Sequence, residues 1–243
     1  MHILAIETTG PFGSVALINE PKEITARRVS EDTMSHLKDL MPMIEDMLAS
    51  QGIRGNDLAA IACDIGPGSF TGIRIGVSTA RALAQIWKIP TIRVSSLTSV
   101  LKKDADPEEK PVRVMIHNAR RRQVYGFMED YLKAGPWMID DVLRIAREEI
   151  GSSRPILFFG DGVDAYGKII EEGLAGTDVR YSFAPKEVRY QDAAEIAMAG
   201  LDKYLEGDLT DFKELLPDYM REAEAEQKLK AGELPISRLP KQE

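Results

Sequence analysis

Ile65 Gly66 Pro67 Gly68 Ser69 Phe70 Thr71 Gly72 Ile73 Arg74 Ile75 Gly76 closes an apolar run and opens a helix. Residues 59–65 read as a buried strand, and Gly66, Pro67 and Gly68 supply the tight turn that β-branched residues cannot make. Ser69 or Thr71 is placed to cap a helix reaching about Trp87, because a hydroxyl accepts from first-turn N–H groups. A loop running into a helix N-terminus also suits an anion, yet no lysine follows these glycines as one does in a Walker A loop. Gly72, Gly76 and Ala80 recur at four-residue spacing, so one stripe of the helix lacks bulk. A glycine inside a helix costs about 1 kcal/mol against alanine, which implies that something comes very close, either within this chain or from a partner. Ile73, Val77, Leu83, Ala84 and Trp87 give the same helix a broad apolar surface.

Upstream, residues 3–7, 14–18 and 24–29 read as three short strands joined by tight turns, which predicts an antiparallel meander. Between Ser35 and Ser50, Leu37, Leu40, Met41, Ile44, Met47 and Leu48 fall at helical spacing, with Pro42 expected to kink the helix and Gly52 to stop it. A strand at residues 91–94 and a short helix capped at Ser95 or Ser96 complete a βββαβαβα unit over residues 1–101. Residues 102–110 are charged and nearly free of apolar side chains, and read as a linker.

A similar order of elements follows over residues 111–220. Strands are expected at 112–116 and 124–128 around the basic turn Arg120 Arg121 Arg122, then a helix from Asp140 to Ile150. A strand at 156–159, closed by Gly160 Asp161 Gly162, leads into a helix to about Glu172, followed by a strand at 179–183 and a helix at 191–205. Residues 221–243 mix Glu, Lys and Pro and read as a fraying tail. The expectation is an α/β protein of two facing subdomains, 1–101 and 111–220.

Composition narrows the function. With 31 basic and 39 acidic residues the formal charge is −8, which disfavours independent nucleic-acid binding, since phosphate contacts dominate that affinity. The single Cys63 lies in a predicted buried strand, and His2, His36 and His117 form no metal-ligand pair. No run approaches the roughly 20 apolar residues of a membrane span, and the first residues carry no basic leader, so a cytoplasmic protein is expected. Arg120 to Arg122 is the one compact basic run, read as a solvated turn ahead of a phosphate contact.

The duplicated three-strand unit with crossover helices resembles the ribonuclease-H-like superfamily of actin, sugar kinases and heat-shock ATPases, whose members hold nucleotide between the halves. More specifically, residues 3–9, Ser35 His36 Leu37 with Leu40 Met41 Pro42, residues 66–76, and Pro217 Asp218 Tyr219 Met220 Arg221 resemble the bacterial TsaB (YeaZ) family, a paralogue of TsaD. That resemblance implies a non-catalytic scaffold in the machinery that forms threonylcarbamoyladenosine next to the tRNA anticodon, with no catalytic residues and no metal of its own. It implies a heterodimer with TsaD, TsaE as the ATP-using partner, a homodimer when alone, and tRNA contact only through the complex.

The pairing surface implied for the family uses the two helices above, here His36, Leu37, Leu40, Met41 and Ile44 with Gly72, Ile73, Gly76, Val77 and Ala80. On that basis Gly76→Leu is expected to abolish pairing and leave the monomer folded. A weak nucleotide site is placed at Glu7, Thr8, Thr9, Gly68 and Ser69, with ATP or ADP at a subunit junction. Two departures weaken nucleotide hydrolysis: Glu7 stands where the superfamily has Asp on its first strand, and Asn118 stands where relatives commonly have Asp. An autonomous ATPase of the same fold is the alternative. A peptidase is disfavoured because no nucleophile has a histidine partner in the sequence pattern.

Overall fold

The computed structural model describes residues 1–32, 36–104 and 108–220, with the backbone alone at His36 and Leu37. The middle of the expected linker and the whole of the expected tail, with Arg221, lie outside the described residues. Three strands, β1 (His2–Glu7), β2 (Ser14–Asn19) and β3 (Glu23–Val29), form the expected meander, with Ile3 opposite Ile18 and Ile6 opposite Val15. β4 (Ala60–Asp64) and β5 (Thr91–Val94) then join in parallel, giving the order β3-β2-β1-β4-β5. Ile3, Leu4, Ala5 and Ile6 are all fully buried, because β1 lies at the centre of a sheet covered on both faces.

One face is covered by α1 (His36–Ser50) and α2 (Phe70–Trp87), the crossovers that parallel pairing requires. α1 runs on through Pro42. Ser69 rather than Thr71 caps α2, its Oγ accepting from the Gly72 N–H at 3.2 Å.

The second half repeats the plan. Strands β6 (Val112–Asn118), β7 (Gln123–Met128) and β8 (Leu132–Met138) form a meander, and β9 (Ile156–Phe159) and β10 (Tyr181–Phe183) add in parallel, in the order β10-β9-β6-β7-β8. Helices α3 (Ile139–Ile145), continued by a wider turn over Ala146–Ile150, and α4 (Gly162–Leu174) pack on this sheet. Strand β8 is absent from the sequence-based expectation, since Gly135 and Pro136 break the strand pattern; the structure tolerates them because β8 is an edge. Both sheets share the 3-2-1-4-5 order of a ribonuclease-H-like unit.

After α5 (Lys186–Arg189) the chain returns to the first lobe. The last helix among the described residues, α6 (Ala193–Leu205), capped by Asp192, buries Ala193, Ile196, Ala197 and Leu201 against the open face of the first sheet. Beyond it Thr210 pairs with Thr91, and Leu215 enters the core between that sheet and its two helices. The expected boundaries therefore need correction: residues 193–219 are contiguous in sequence with the second subdomain but pack on the first. The apolar side chains of α6 decide this, since they leave Ile3, Ala5, Ala62 and Ile92 dry only when placed there.

The small-residue stripe faces inward. A Cβ on Gly72 would stand 1.8 Å from the Thr8 carbonyl oxygen, and one on Gly76 would stand 2.3 Å from Thr8 Oγ1. Thr8 Oγ1 in turn donates to the Gly72 carbonyl at 2.7 Å. Gly72, Ile73, Gly76, Val77 and Ala80 are buried within the chain, as are Leu40 and Ile44 of α1. These seven do not form a docking face, which corrects the sequence-based assignment and overturns the expectation that Gly76→Leu folds normally. Of the other three, Met41 is exposed, and the side chains of His36 and Leu37 lie outside the described residues. Gly72→Ala is expected to lower the unfolding free energy by about 3 kcal/mol in urea titration, because backbone rather than a flexible side chain blocks the new methyl. Thr71→Ala, at an exposed position one residue earlier, should change it by less than about 0.5 kcal/mol.

Candidate functional site

The ends of β1, β4 and β6 meet across a cleft of about 970 Å³ between the lobes. Its first-lobe wall carries Thr9, Gly10, Gly68, Ser69 and Thr71, and its second-lobe wall carries His117, Arg120, Asp161 and Ala165. Three of the five residues expected to hold nucleotide, Thr9, Gly68 and Ser69, line it; Glu7 is fully buried behind Thr9, and Thr8 is turned away against α2.

Their hydrogen bonds are directed inward. Glu7 Oε1 accepts from the Thr9 N–H at 2.5 Å, the Gly10 N–H at 2.9 Å and Thr9 Oγ1 at 2.9 Å. A glutamate has the length to fold back on its own loop and occupy the amides that a phosphate would need. The loop is closed from the other side as well: the Ser69 N–H donates to the Thr9 carbonyl at 2.9 Å, and a Cβ on Gly68 would lie 2.5 Å from that oxygen.

Asp64, at the end of β4, completes a buried carboxyl pair. It accepts from the Gly66 N–H at 2.7 Å, lies 3.2 Å from Thr9 Oγ1 in competition with Glu7 for that hydroxyl hydrogen, and like Glu7 is fully buried. Burial, then the charge of Asp64, pushes Glu7 well above the usual carboxylate range, and burial raises Asp64 too. Glu7 Oε2 is buried without a hydrogen-bond partner among the described residues. A fully buried carboxyl whose Oε1 already accepts from the Thr9 and Gly10 amides is not open to a hydrated magnesium ion. Among the described residues no three His, Cys, Asp or Glu side chains converge to hold a metal.

The second-lobe wall is built around the β6–β7 turn. Arg120, Arg121 and Arg122 all adopt left-handed φ angles, 64°, 52° and 64°, a conformation costing roughly 1 kcal/mol for each non-glycine residue. Asn118 holds this turn, its Oδ1 accepting from the Arg120 N–H at 2.8 Å and from Tyr166 Oη at 3.0 Å, while its own N–H donates to Asp161 at 3.1 Å. An aspartate at 118 would set a second carboxylate beside Asp161, so this departure lowers the negative charge of the cleft. Arg122 turns outward to Asp140 at 2.6 Å, whereas Arg120 and Arg121 line the cleft. His117 is buried with Nδ1 3.4 Å from Asp161 and Nε2 without a hydrogen-bond partner among the described residues, and no sequence motif marks it. The Gly160 Asp161 Gly162 turn is explained by packing, because a Cβ on Gly160 would stand 2.1 Å from the Ile116 carbonyl oxygen.

Residues 217–220 form a strap over the glycine turn. The Asp218 N–H donates to the Ile65 carbonyl at 2.8 Å, Tyr219 stacks on Phe70 with centroids 4.8 Å apart, and Arg74 Nε donates to Tyr219 Oη at 3.0 Å. The sequence motif and the glycine motif, 145 residues apart at Arg74 and Tyr219, are one structural unit.

Two ribonuclease-H-like lobes around a cleft whose first loop is closed by its own glutamate define a protein of the actin-like class. A family model described as TsaD, tRNA N6-adenosine threonylcarbamoyltransferase, matches residues 29–229. The tRNA threonylcarbamoyladenosine biosynthesis protein TsaB of Bacillus subtilis is 32% identical over 94% of this chain and 97% of its own length. The TsaB of Escherichia coli is 32% identical over 67% of this chain and 70% of its own. The chain belongs to the TsaB family. YeaZ from Pseudomonas aeruginosa has the same fold, with a TM-score of 0.72 at 22% identity over 90% of this chain and 99% of that one.

Glu7→Gln tests the carboxyl pair. A carboxyl whose folded value is raised destabilises the fold as pH climbs from its unfolded value near about 4.3 towards the folded one, because the unfolded chain ionises first. Glutamine keeps the Oε1 acceptor and offers Asp64 a neutral N–H, so the variant should be more stable than the parent at pH 7 and the difference should shrink towards pH 4, measured by urea unfolding at each pH.

Proposed function

We propose that this chain is a non-catalytic scaffold subunit that binds and activates a TsaD transferase during formation of threonylcarbamoyladenosine in tRNA. The observation that carries the reading is the loop at residues 7–10: its Thr9 and Gly10 amides are already bonded to Glu7, so the chain offers no open phosphate cradle there. Membership of the TsaB family, whose curated members are named for threonylcarbamoyladenosine biosynthesis, supports the pathway. TsaE with ATP joins the assembly, tRNA is met only through the complex, and the isolated chain pairs with itself in the cytoplasm.

The docking face is the outward side of α1 and α2. Met41 is 38% exposed and Ile86 69%, with Pro42, Ser78 and Ala82 also at the surface. Methionine is flexible and polarizable, and suits a face that repacks between like and unlike partners.

Size-exclusion chromatography with light scattering tests the reading on the chain alone, with TsaD from the same source, and with TsaE and ATP added. A homodimer that gives way to a heterodimer is expected. A monomer indifferent to TsaD would overturn the scaffold role and leave nucleotide binding by the isolated chain as the reading to pursue. Met41→Asp should weaken the heterodimer by about tenfold or more, near 1.4 kcal/mol, with an unchanged melting temperature, since the position is exposed in the monomer.

A further inference from the structure

The chain passes between its lobes twice, once after the 3₁₀ turn Thr98–Lys102 and once between β10 and α6. Lys103 begins the first passage, and Glu195 sits in the first turn of α6, where the second ends. Lys103 Nζ lies 3.2 Å from Glu195 Oε1, with the two side chains 3% and 14% exposed. The same ammonium stands 5.7 Å from the centroid of the Phe159 ring, which belongs to β9 of the other lobe. Phe159 is part of the apolar cluster that joins Leu97 and Val100 of the first lobe to Met115, Tyr125 and Ala184 of the second.

A lysine this deeply buried is held only by what faces it. Glu195 supplies the counter-charge from the first lobe and Phe159 the negative face of its ring from the second. The lobes cannot swing apart without drawing the ammonium off one of the two. One residue earlier, Lys102 binds Asp202 of α6 at 2.5 Å, and Lys22 reaches the same carboxylate at 2.7 Å, but these contacts are partly exposed and remain within the first lobe.

We propose that Lys103, Glu195 and Phe159 form an interlobe latch that sets the width of the cleft. With the latch closed, the start of one passage is fixed to the end of the other and the cleft walls keep one spacing. Loss of either charge leaves its partner buried and uncompensated, which favours rearrangement of both passages. The latch does not depend on which partner the chain binds.

Nitroxide labels on Thr71→Cys and Ala165→Cys, exposed positions on opposite walls of the cleft, would report its width by pulsed electron spin resonance on the full chain. Cys63 is fully buried and its thiol is pushed up by burial, so labelling is confined to the introduced cysteines. A single narrow distance distribution is expected, becoming roughly twofold wider or gaining a longer component in Lys103→Met. Glu195→Gln, which keeps an acceptor for the ammonium, should broaden it in the same direction, and the double variant should add little to either single one. Lys22→Met, which touches only the surface carboxylate, should leave it unchanged. A distribution equally broad before substitution, or unchanged in a folded Lys103→Met or Glu195→Gln protein, would overturn the latch.

Discussion

The carbonyl oxygens of Thr8 and Thr9 occupy the space that side chains at residues 72 and 68 would otherwise fill. Backbone against backbone at this distance is possible only with glycine on the helix side, and it fixes the end of β1 to the start of α2. Thr8 then hydrogen-bonds back to Gly72, Ser69 donates to Thr9, and Glu7 gathers the amides that remain. The strap at residues 217–220 closes over the same turn, so the first strand, the glycine turn, the long helix and the last described residues meet at one point. The first wall of the cleft follows from this arrangement rather than from any residue positioned for a ligand.

The same contact accounts for both the likeness to actin-like nucleotide-binding proteins and the departure from them. The duplicated sheets and the cleft between them are retained, and so is the loop after the first strand. Inside the loop, a glutamate long enough to turn back replaces the acceptor that would otherwise reach into the cleft, and it lies fully buried beside Asp64. A fold can keep its cleft while the groups lining it serve packing, because the sheets and helices are stabilised by apolar burial and the loop amides by local hydrogen bonds.

Much of the fold was legible in the residues. Alternation and apolar runs located nine of the ten strands among the described residues, and the glycine turn located α2 with its cap at Ser69 or Thr71, of which the structure uses Ser69. β8 was hidden because Gly135 and Pro136 are compatible with a strand only at an edge, and edge position is a property of the assembled sheet. The spacing of Gly72, Gly76 and Ala80 correctly signalled a very close neighbour, but the partner reading assigned it to another protein when it was Thr8 of the same chain. Glycine spacing states how near something comes and is silent on its identity.

By itself, the sequence determined the class of fold, the two repeated halves and the family, since these depend on local periodicity, turn chemistry and motifs each of which is read within a few consecutive residues. Only the tertiary structure decided that α6 returns to the first sheet, that Glu7 and Asp64 form one buried pair, and that Lys103 meets Glu195 and Phe159 at the crossing of the lobes. Each of these joins residues 50 or more positions apart. Such pairings are set by which apolar faces must be covered and which buried charges must be matched, and a linear pattern carries neither.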